Sequence, residues 1–212
     1  NNFIGSWAGY CNTTGVHNNF IGVNAGHYNT IGQNNNFFGG SAGNYSTVGN
    51  NNNFFGFCSG RNNTALGSLG VVTNPGTGYP DGIFTNIRLN PTTYGMVVAP
   101  TVTVEIIGGS VTFIELSTGG SGARPGTIWV LNPDDIGFIG TGFEVLTGTV
   151  VSGDNNTFFG YYSGAYSTGS NNFFAGLCAG YHNIEGRSNN FIGQYAGMSN
   201  TTGSRNNFIG DS

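Results

Sequence analysis

The sequence predicts an all-β protein in which a parallel β-solenoid, or β-roll, is interrupted by a small inserted antiparallel β domain. Two observations predict the solenoid: a short motif that recurs about every 17 residues, and a composition with 39 glycines among 212 residues. The motif is missing between the two arrays of repeats, which predicts the insert. We therefore expect solenoid repeats at 1–67 and 153–212, with an inserted domain at 68–152.

Each repeat contains Phe followed by Ile or Phe, usually after Asn-Asn and before Gly, and most copies continue to an Ala-Gly or Ser-Gly corner. The first Phe is spaced by 17 residues within the first array, and by 15, 18 and 17 residues within the second. Helical repeats need about 33 residues or more, and so many glycines disfavour a helix. A coil of this length, with two short extended pieces and two turns, fits a parallel β-solenoid.

Strand alternation predicts where the two apolar residues of each motif point. The first should form a core stripe of Phe3, Phe20, Phe37, Phe54, Phe158, Phe173, Phe191 and Phe208. The second should point outwards, as a stripe of Ile4, Ile21, Phe38, Phe55, Phe159, Phe174, Ile192 and Ile209. Because a continuous exposed apolar stripe indicates a binding face, we expect it to be buried between subunits. A roll wide enough to hold both positions through bulges is the alternative.

The recurring Asn residues favour corners, because Asn tolerates the left-handed backbone of tight turns. Asn side chains on successive coils can also form ladders of amide hydrogen bonds. Cys58 and Cys178 occupy matching places in their repeats. If their coils are two apart, at about 4.8 Å per coil, they are too distant for a disulfide. We expect them to be small buried residues of the wall.

The predicted insert differs in composition, since it holds six of the nine acidic residues and all six prolines. The stretch 101–107 alternates apolar and polar residues, and Gly108-Gly109 then predicts a two-residue hairpin turn. Further strands are expected at 83–89, 127–131 and 143–151, which makes a small antiparallel domain. Whether it is a sandwich or a barrel stays open.

Composition and motifs argue against several functions. A net charge of −4 without a basic stripe disfavours nucleic acid as a partner. The sequence has no apolar run of about 18 residues, so we expect no membrane-spanning helix. The three histidines have no metal-ligand spacing, and the few carboxylates of the repeats do not form a catalytic pair. Asp134-Asp135 fits a polar turn better than a cation site. We expect no enzyme, no cofactor and no metal.

At Asn2-Phe3-Ile4-Gly5, Ala8-Gly9 and Asn12-Thr13-Thr14-Gly15, and in the matching copies, the sequence resembles the Asn-Thr-Phe-Ile-Gly-x-x-Ala-Gly arrays of phage tail fibres. It is more distantly similar to the head repeats of trimeric autotransporter adhesins, although the period is longer and Phe replaces small residues. The resemblance covers about 1–67 and 153–212, and it implies a parallel homotrimeric fibre.

The expected function is a non-catalytic segment of a phage tail fibre or spike that serves in host attachment. Its partners would be sister chains, other virion tail proteins and a host-surface glycan or protein, and its location the virion. The alternatives are a bacterial adhesin on the cell surface and an ice-binding solenoid; in the latter the Thr array is broken because Thr14 aligns with Ile31 and Val48.

Aromatic residues near the corners are candidate sugar contacts, with simple corner packing as the alternative. They are Tyr28, Tyr45, Tyr166 and Tyr181. The insert is expected to carry receptor contacts, or to serve as a spacer or docking platform. Because the chain begins within one repeat and ends within another, and neither end looks like a polar cap, we expect it to be part of a longer polypeptide.

Overall fold

The computed structural model describes residues 1–92, 98–121, 127–136, 140–148 and 150–211. It divides into two compact units, a solenoid formed by 1–64 with 151–212 and an insert formed by 65–150. The insert therefore begins three residues earlier and ends two residues earlier than the repeat pattern predicted.

The described chain is all-β apart from one short helix, α1 (Pro133–Ile136). The predicted fold class is confirmed. In chain order the strands are β1 (Asn2–Ile4), β2 (Asn19–Ile21), β3 (Asn36–Phe38), β4 (Asn53–Phe55), β5 (Ala65–Leu66), β6 (Leu69–Thr77), β7 (Gly82–Pro91), β8 (Thr101–Ile107), β9 (Ser110–Thr118), β10 (Ile128–Leu131), β11 (Thr141–Thr147), β12 (Val150–Val151), β13 (Thr157–Phe159), β14 (Phe173–Ala175), β15 (Asn190–Ile192) and β16 (Asn207–Ile209).

The solenoid contains one parallel sheet of eight three-residue strands, in the order β1-β2-β3-β4-β13-β14-β15-β16. Each strand pairs with the matching residues of the next coil, as Phe3 does with Phe20. The register continues across the insert, where Phe54 pairs with Phe158. The insert thus interrupts the sequence of the solenoid but not its sheet.

The register corrects the predicted repeat at Phe173 and Phe174. Phe158 pairs with Phe174, and Phe174 pairs with Phe191, so the repeat is in register one residue later than the motif predicted. Phe174 is fully buried in the core, whereas Phe173, predicted as core, is 38% exposed. Ala175 takes the outward position predicted for Phe174, since it pairs with Phe159. The physical reason is the corner glycine, which follows the core Phe by two residues in every coil and here is Gly176.

The core Phe residues form a continuous stack along the solenoid. Successive ring centroids are 4.8–5.0 Å apart and the rings lie within 8° of parallel. Phe3 and Phe208, in the first and last coils, are partly exposed. Each ring leaves room only for glycine at the next corner: a Cβ on Gly43, at a φ of +56°, would lie 2.4 Å from the Phe37 ring. The glycine pattern is therefore a packing requirement as well as a turn signal.

Two ladders of Asn side chains connect the coils, which confirms the predicted amide ladders. In the inner ladder, Asn35 is buried, its Nδ2 donates to the carbonyl of Gly49 at 2.8 Å, and its Oδ1 accepts the backbone N–H of Asn52 at 3.0 Å. In the outer ladder, the Nδ2 of Asn36 donates to the Oδ1 of Asn53 at 2.8 Å. The solenoid interior therefore combines an apolar Phe column with buried amides whose hydrogen bonds run from coil to coil.

The insert contains a six-stranded antiparallel sheet in the order β6-β11-β10-β7-β8-β9. Its edge strands β6 and β9 approach each other, since the Oγ of Ser110 donates to the carbonyl of Gly76 at 2.8 Å. Because the insert has one curled sheet and not two packed sheets, it is a partly closed barrel and not a sandwich. Its core residues are Ile87, Leu89, Val102, Val104, Ile106, Val111, Trp129, Leu131, Phe143 and Val145.

The predicted hairpin between β8 and β9 is confirmed. Gly108 and Gly109 both have positive φ, 61° and 76°, as a two-residue turn of type I′ requires. The strands predicted at 83–89 and 127–131 are present as β7 and β10, and the one predicted at 143–151 is divided between β11 and β12.

The solenoid coil that contains the insertion is complete without the insert. Thr64 and Ser152 flank the insertion, and their hydroxyl oxygens are 3.0 Å apart. Beyond them, the Nδ2 of Asn63 donates to the carbonyl of Gly153 at 2.9 Å, and the N–H of Gly153 donates to the Oδ1 of Asn63 at 3.1 Å. These bonds hold the two chain segments together within one coil.

We expect a variant in which Thr64 is joined directly to Ser152 to fold as a continuous solenoid, because the splice gives β4 and β13 the same spacing between core Phe residues as β3 and β4. Circular dichroism should show cooperative thermal unfolding of this spliced protein. A splice that joins Thr64 to Asp154, and so also removes the Gly153 backbone groups that bond to Asn63, is the control. Loss of cooperative unfolding in the first variant would show that the solenoid needs the insert.

Candidate interaction surface of the solenoid

The solenoid presents a column of apolar side chains on its outer surface, one residue after each core Phe. We call it the first outer column, and it consists of Ile4, Ile21, Phe38, Phe55, Phe159, Ala175, Ile192 and Ile209. None of these side chains is buried, and Phe159 is 41% exposed. Phe38, Phe55 and Phe159 stack along the axis, with successive ring centroids 5.0 Å apart. The roll therefore does not enclose this column.

A second outer column lies two residues further along each coil, and the repeat pattern did not predict it. Its apolar members are Val23, Phe57, Tyr161 and Leu177, all exposed. The position is variable, with Ser, Gly and Gln in other coils, so it gave no repeated signal. Strand alternation carried across the corner glycine would have identified it. We refer to the two columns together as the outer face.

The aromatic rings of the outer face are stacked along the solenoid axis. The Phe57 and Tyr161 rings are 5.4 Å apart and 19° from parallel. On its other side, Phe57 covers Gly40, where an added Cβ would lie 3.1 Å from the ring. Because stacking along the axis occupies the ring faces, the edges point outwards. Such a surface suits lateral packing against apolar side chains more than face-on contact with a sugar ring.

Charged side chains are almost absent from the outer face. In the two columns the only ionisable carboxylate is that of Asp211, in the last coil, whose Oδ1 accepts the backbone N–H of Gln194 at 3.0 Å. The remaining positions are apolar or neutral over seven successive coils. Low charge and exposed aromatic area are features of the centre of a protein interface.

The four tyrosines predicted as sugar contacts pack against neighbours at the corners. The rings of Tyr28 and Tyr45 stack at 4.9 Å and 11°. Tyr166 is buried, and the hydroxyl of Tyr181 donates to the hydroxyl of Tyr166 at 3.3 Å. Burial, with a smaller contribution from this hydrogen bond, raises the pKa of Tyr181. These contacts are those of corner packing, and sugar binding by the tyrosines stays a prediction.

Two of the carboxylates, those of Asp154 and Asp135, have structural partners. The Oδ1 of Asp154 accepts the backbone N–H of Asn50 at 2.6 Å, across adjacent coils. In the insert, Asp135 of α1 accepts from the Arg88 guanidinium at 2.5–3.1 Å, and these hydrogen bonds lower the pKa of Asp135. The Asp134-Asp135 pair thus lies in a helical turn. Within the described ranges, no three or more His, Cys, Asp or Glu side chains come together as a metal site would require.

Cys58 and Cys178 lie two coils apart, with Tyr162 at the matching position between them; all three have a φ of 53–55°. Cys58 is buried, as predicted, whereas Cys178 is only half-buried. The two thiols are not joined by a disulfide, and burial raises the pKa of each. Of the histidines, His182 has its pKa lowered by burial. These groups are therefore parts of the wall and corners of the solenoid.

A column of threonines lies one residue before the Thr14 position, at Thr13, Thr30, Thr47 and Thr64, and it does not form a flat exposed array. The Oγ1 of Thr13 donates to the carbonyl of Thr30, and the Oγ1 of Thr30 to the carbonyl of Thr47, both at 3.0 Å. Thr47 and Thr64 are buried. Because these hydroxyls are bonded to the backbone of the next coil, they give no support to the ice-binding alternative.

No family model, curated protein or solved structure matches this chain. Across the part of the chain that the structure describes, no helix has the length and apolar character needed to span a membrane.

Proposed function

We propose that this chain is a non-catalytic structural segment of a phage tail fibre or spike, that three copies associate in parallel through the outer face, and that the fibre serves in host attachment. The observation that carries the proposal is the outer face itself, a largely apolar surface with almost no charge that is repeated on successive coils. A surface of this kind in water is normally covered by a partner.

The periodicity of the outer face favours another copy of the chain as that partner. Its side chains repeat at the spacing of neighbouring parallel strands, about 4.8 Å. A second solenoid in parallel has the same spacing, so the rings of one copy can fit between those of the other along the whole face. Closed rotational symmetry then lets each copy bury the same surface. The fibre architecture and host attachment rest on the resemblance of the repeats to tail-fibre arrays.

The mass of the native particle tests the association. We expect three times the chain mass of 22.1 kDa by light scattering. Phe159→Asp should shift the particle to the monomer mass, because it places a charge in the outer face. Ile31→Asp is the matched control: Ile31 is 50% exposed on the solenoid but lies outside both columns. A monomeric unaltered chain, or a trimer that persists in Phe159→Asp, would refute the association.

The location is tested by immunogold electron microscopy with antibodies against the purified chain. The proposed function predicts labelling of virion tails. Labelling of a bacterial envelope in the absence of virions would instead assign the chain to the adhesin alternative, in which the same roll lies on the cell surface.

A further inference from the structure

The net charge of the protein is concentrated in the insert. Residues 65–150 contain six acidic residues and two arginines, a net charge of −4, which equals that of the whole chain. The solenoid balances three arginines with three acidic residues. The insert is therefore the part of the molecule that attracts cationic partners over a distance.

An exposed apolar patch lies on the outer side of the insert's sheet. Ile83, Glu105 and Phe113 are directly opposite one another on β7, β8 and β9. Ile107 follows Glu105 by two residues, and so lies on the same side of β8. Ile83, Ile107 and Phe113 are 71%, 59% and 51% exposed. We call these four residues the insert patch.

A carboxylate without an ion pair lies at the centre of the insert patch. The one ion pair within the described residues joins Arg88 to Asp135. No described residue therefore pairs with the Glu105 carboxylate, which can interact with a cation from outside. Glu115 lies on the adjacent cross-strand pair of the same face, opposite Thr103. The patch thus combines aliphatic and aromatic area with negative charge.

We propose that the insert patch is a docking site for a basic polypeptide segment whose Lys or Arg residues alternate with apolar side chains. Exposed Ile and Phe side chains gain stability by burial against apolar groups of a protein, and Glu105 then pairs with a cationic side chain of that partner. The negative insert repels the phosphates of nucleic acids and of anionic lipids. The chain has no Lys and a net charge of −4, so another copy of it lacks the required complementarity.

The test uses the full chain and a synthetic extended peptide of alternating Arg and Leu, with affinity measured by isothermal titration calorimetry. We expect Phe113→Ser to weaken binding at least tenfold and Glu105→Gln at least threefold. Val71→Ser should leave affinity unchanged. Val71 is the matched control because it lies on β6, outside the insert patch. It is 71% exposed, the same fraction as Ile83 within the patch. All three substitutions are at the surface, where folding is little affected.

Two further peptides separate the contributions. A peptide of alternating Glu and Leu should not bind, because its charge has the wrong sign. A peptide of alternating Arg and Ser should bind at least tenfold more weakly, because it offers no apolar surface. Absence of binding by the Arg-Leu peptide, equal binding by the Arg-Ser peptide, or an unchanged affinity in Phe113→Ser would overturn the proposal. The particle mass of each variant is measured in parallel, so that failure of this site is distinguished from failure of the subunit association.

Discussion

Replacing Phe174 by Ala should lower the free energy of unfolding of the solenoid by about 3–5 kcal/mol, the usual cost of truncating a buried aromatic side chain. The neighbouring substitution Phe173→Ala should lower it by about 1 kcal/mol or less, because Phe173 contributes only a partly exposed ring contact. The two residues are adjacent and chemically identical. Their difference therefore reports which of them belongs to the core.

The large effect follows from the stack. The Phe174 ring lies between those of Phe158 and Phe191, at 4.8 and 4.9 Å, and is fully buried. Removing it leaves a gap that the two neighbours cannot close, because hydrogen-bonded strands fix the spacing of the coils. By contrast, the Phe173 ring meets Phe159 at 6.1 Å and a tilt of 58°.

Urea denaturation followed by circular dichroism measures both variants, at one fixed protein concentration because association adds to apparent stability. Equal losses in the two variants would contradict the register of β13 and β14. A larger loss for Phe173→Ala would restore the uneven repeat spacing that the motif alone predicted.

Asn35→Ala should be comparably destabilising, because each buried group left without a hydrogen-bond partner costs about 1–3 kcal/mol. The substitution leaves two such groups, the carbonyl of Gly49 and the backbone N–H of Asn52. The adjacent Asn36→Ala removes half-exposed bonds between side chains of the outer ladder. Its expected cost is about 0.5–1.5 kcal/mol, because water can replace those bonds.

Hydrogen exchange adds a local measurement to the denaturation curves. In Asn35→Ala, the backbone amide of Asn52 should lose protection, since its acceptor is the deleted Oδ1. In Asn36→Ala that amide should keep its protection. If the two variants lose the same stability and protection, the inner ladder is not the stronger connection between coils.

Features of the protein that depend on local backbone geometry were predictable from the sequence, whereas part of the exposed surface was not. The recurring Phe spacing and the Gly108-Gly109 turn predicted the solenoid and the hairpin, because both depend on local backbone geometry that glycine determines. Phe57 and Tyr161 were not predicted as surface residues, since their position varies from coil to coil and exposure depends on the path of the chain after the corner. The first outer column was thus predicted, except that Ala175 replaces Phe174, whereas the second outer column was not.

The sequence by itself determined the type of coil, the alternation of inward and outward side chains, and the presence of an insert between two arrays. Those features follow from period, glycine placement and strand alternation, which are properties of neighbouring residues. Only the tertiary structure decided that Phe174 rather than Phe173 joins the core and that the insert's sheet curls until β6 meets β9. Both depend on contacts between residues that are distant in sequence. The local pattern permits more than one alignment of neighbouring strands, and the hydrogen bonds between the strands select one of them.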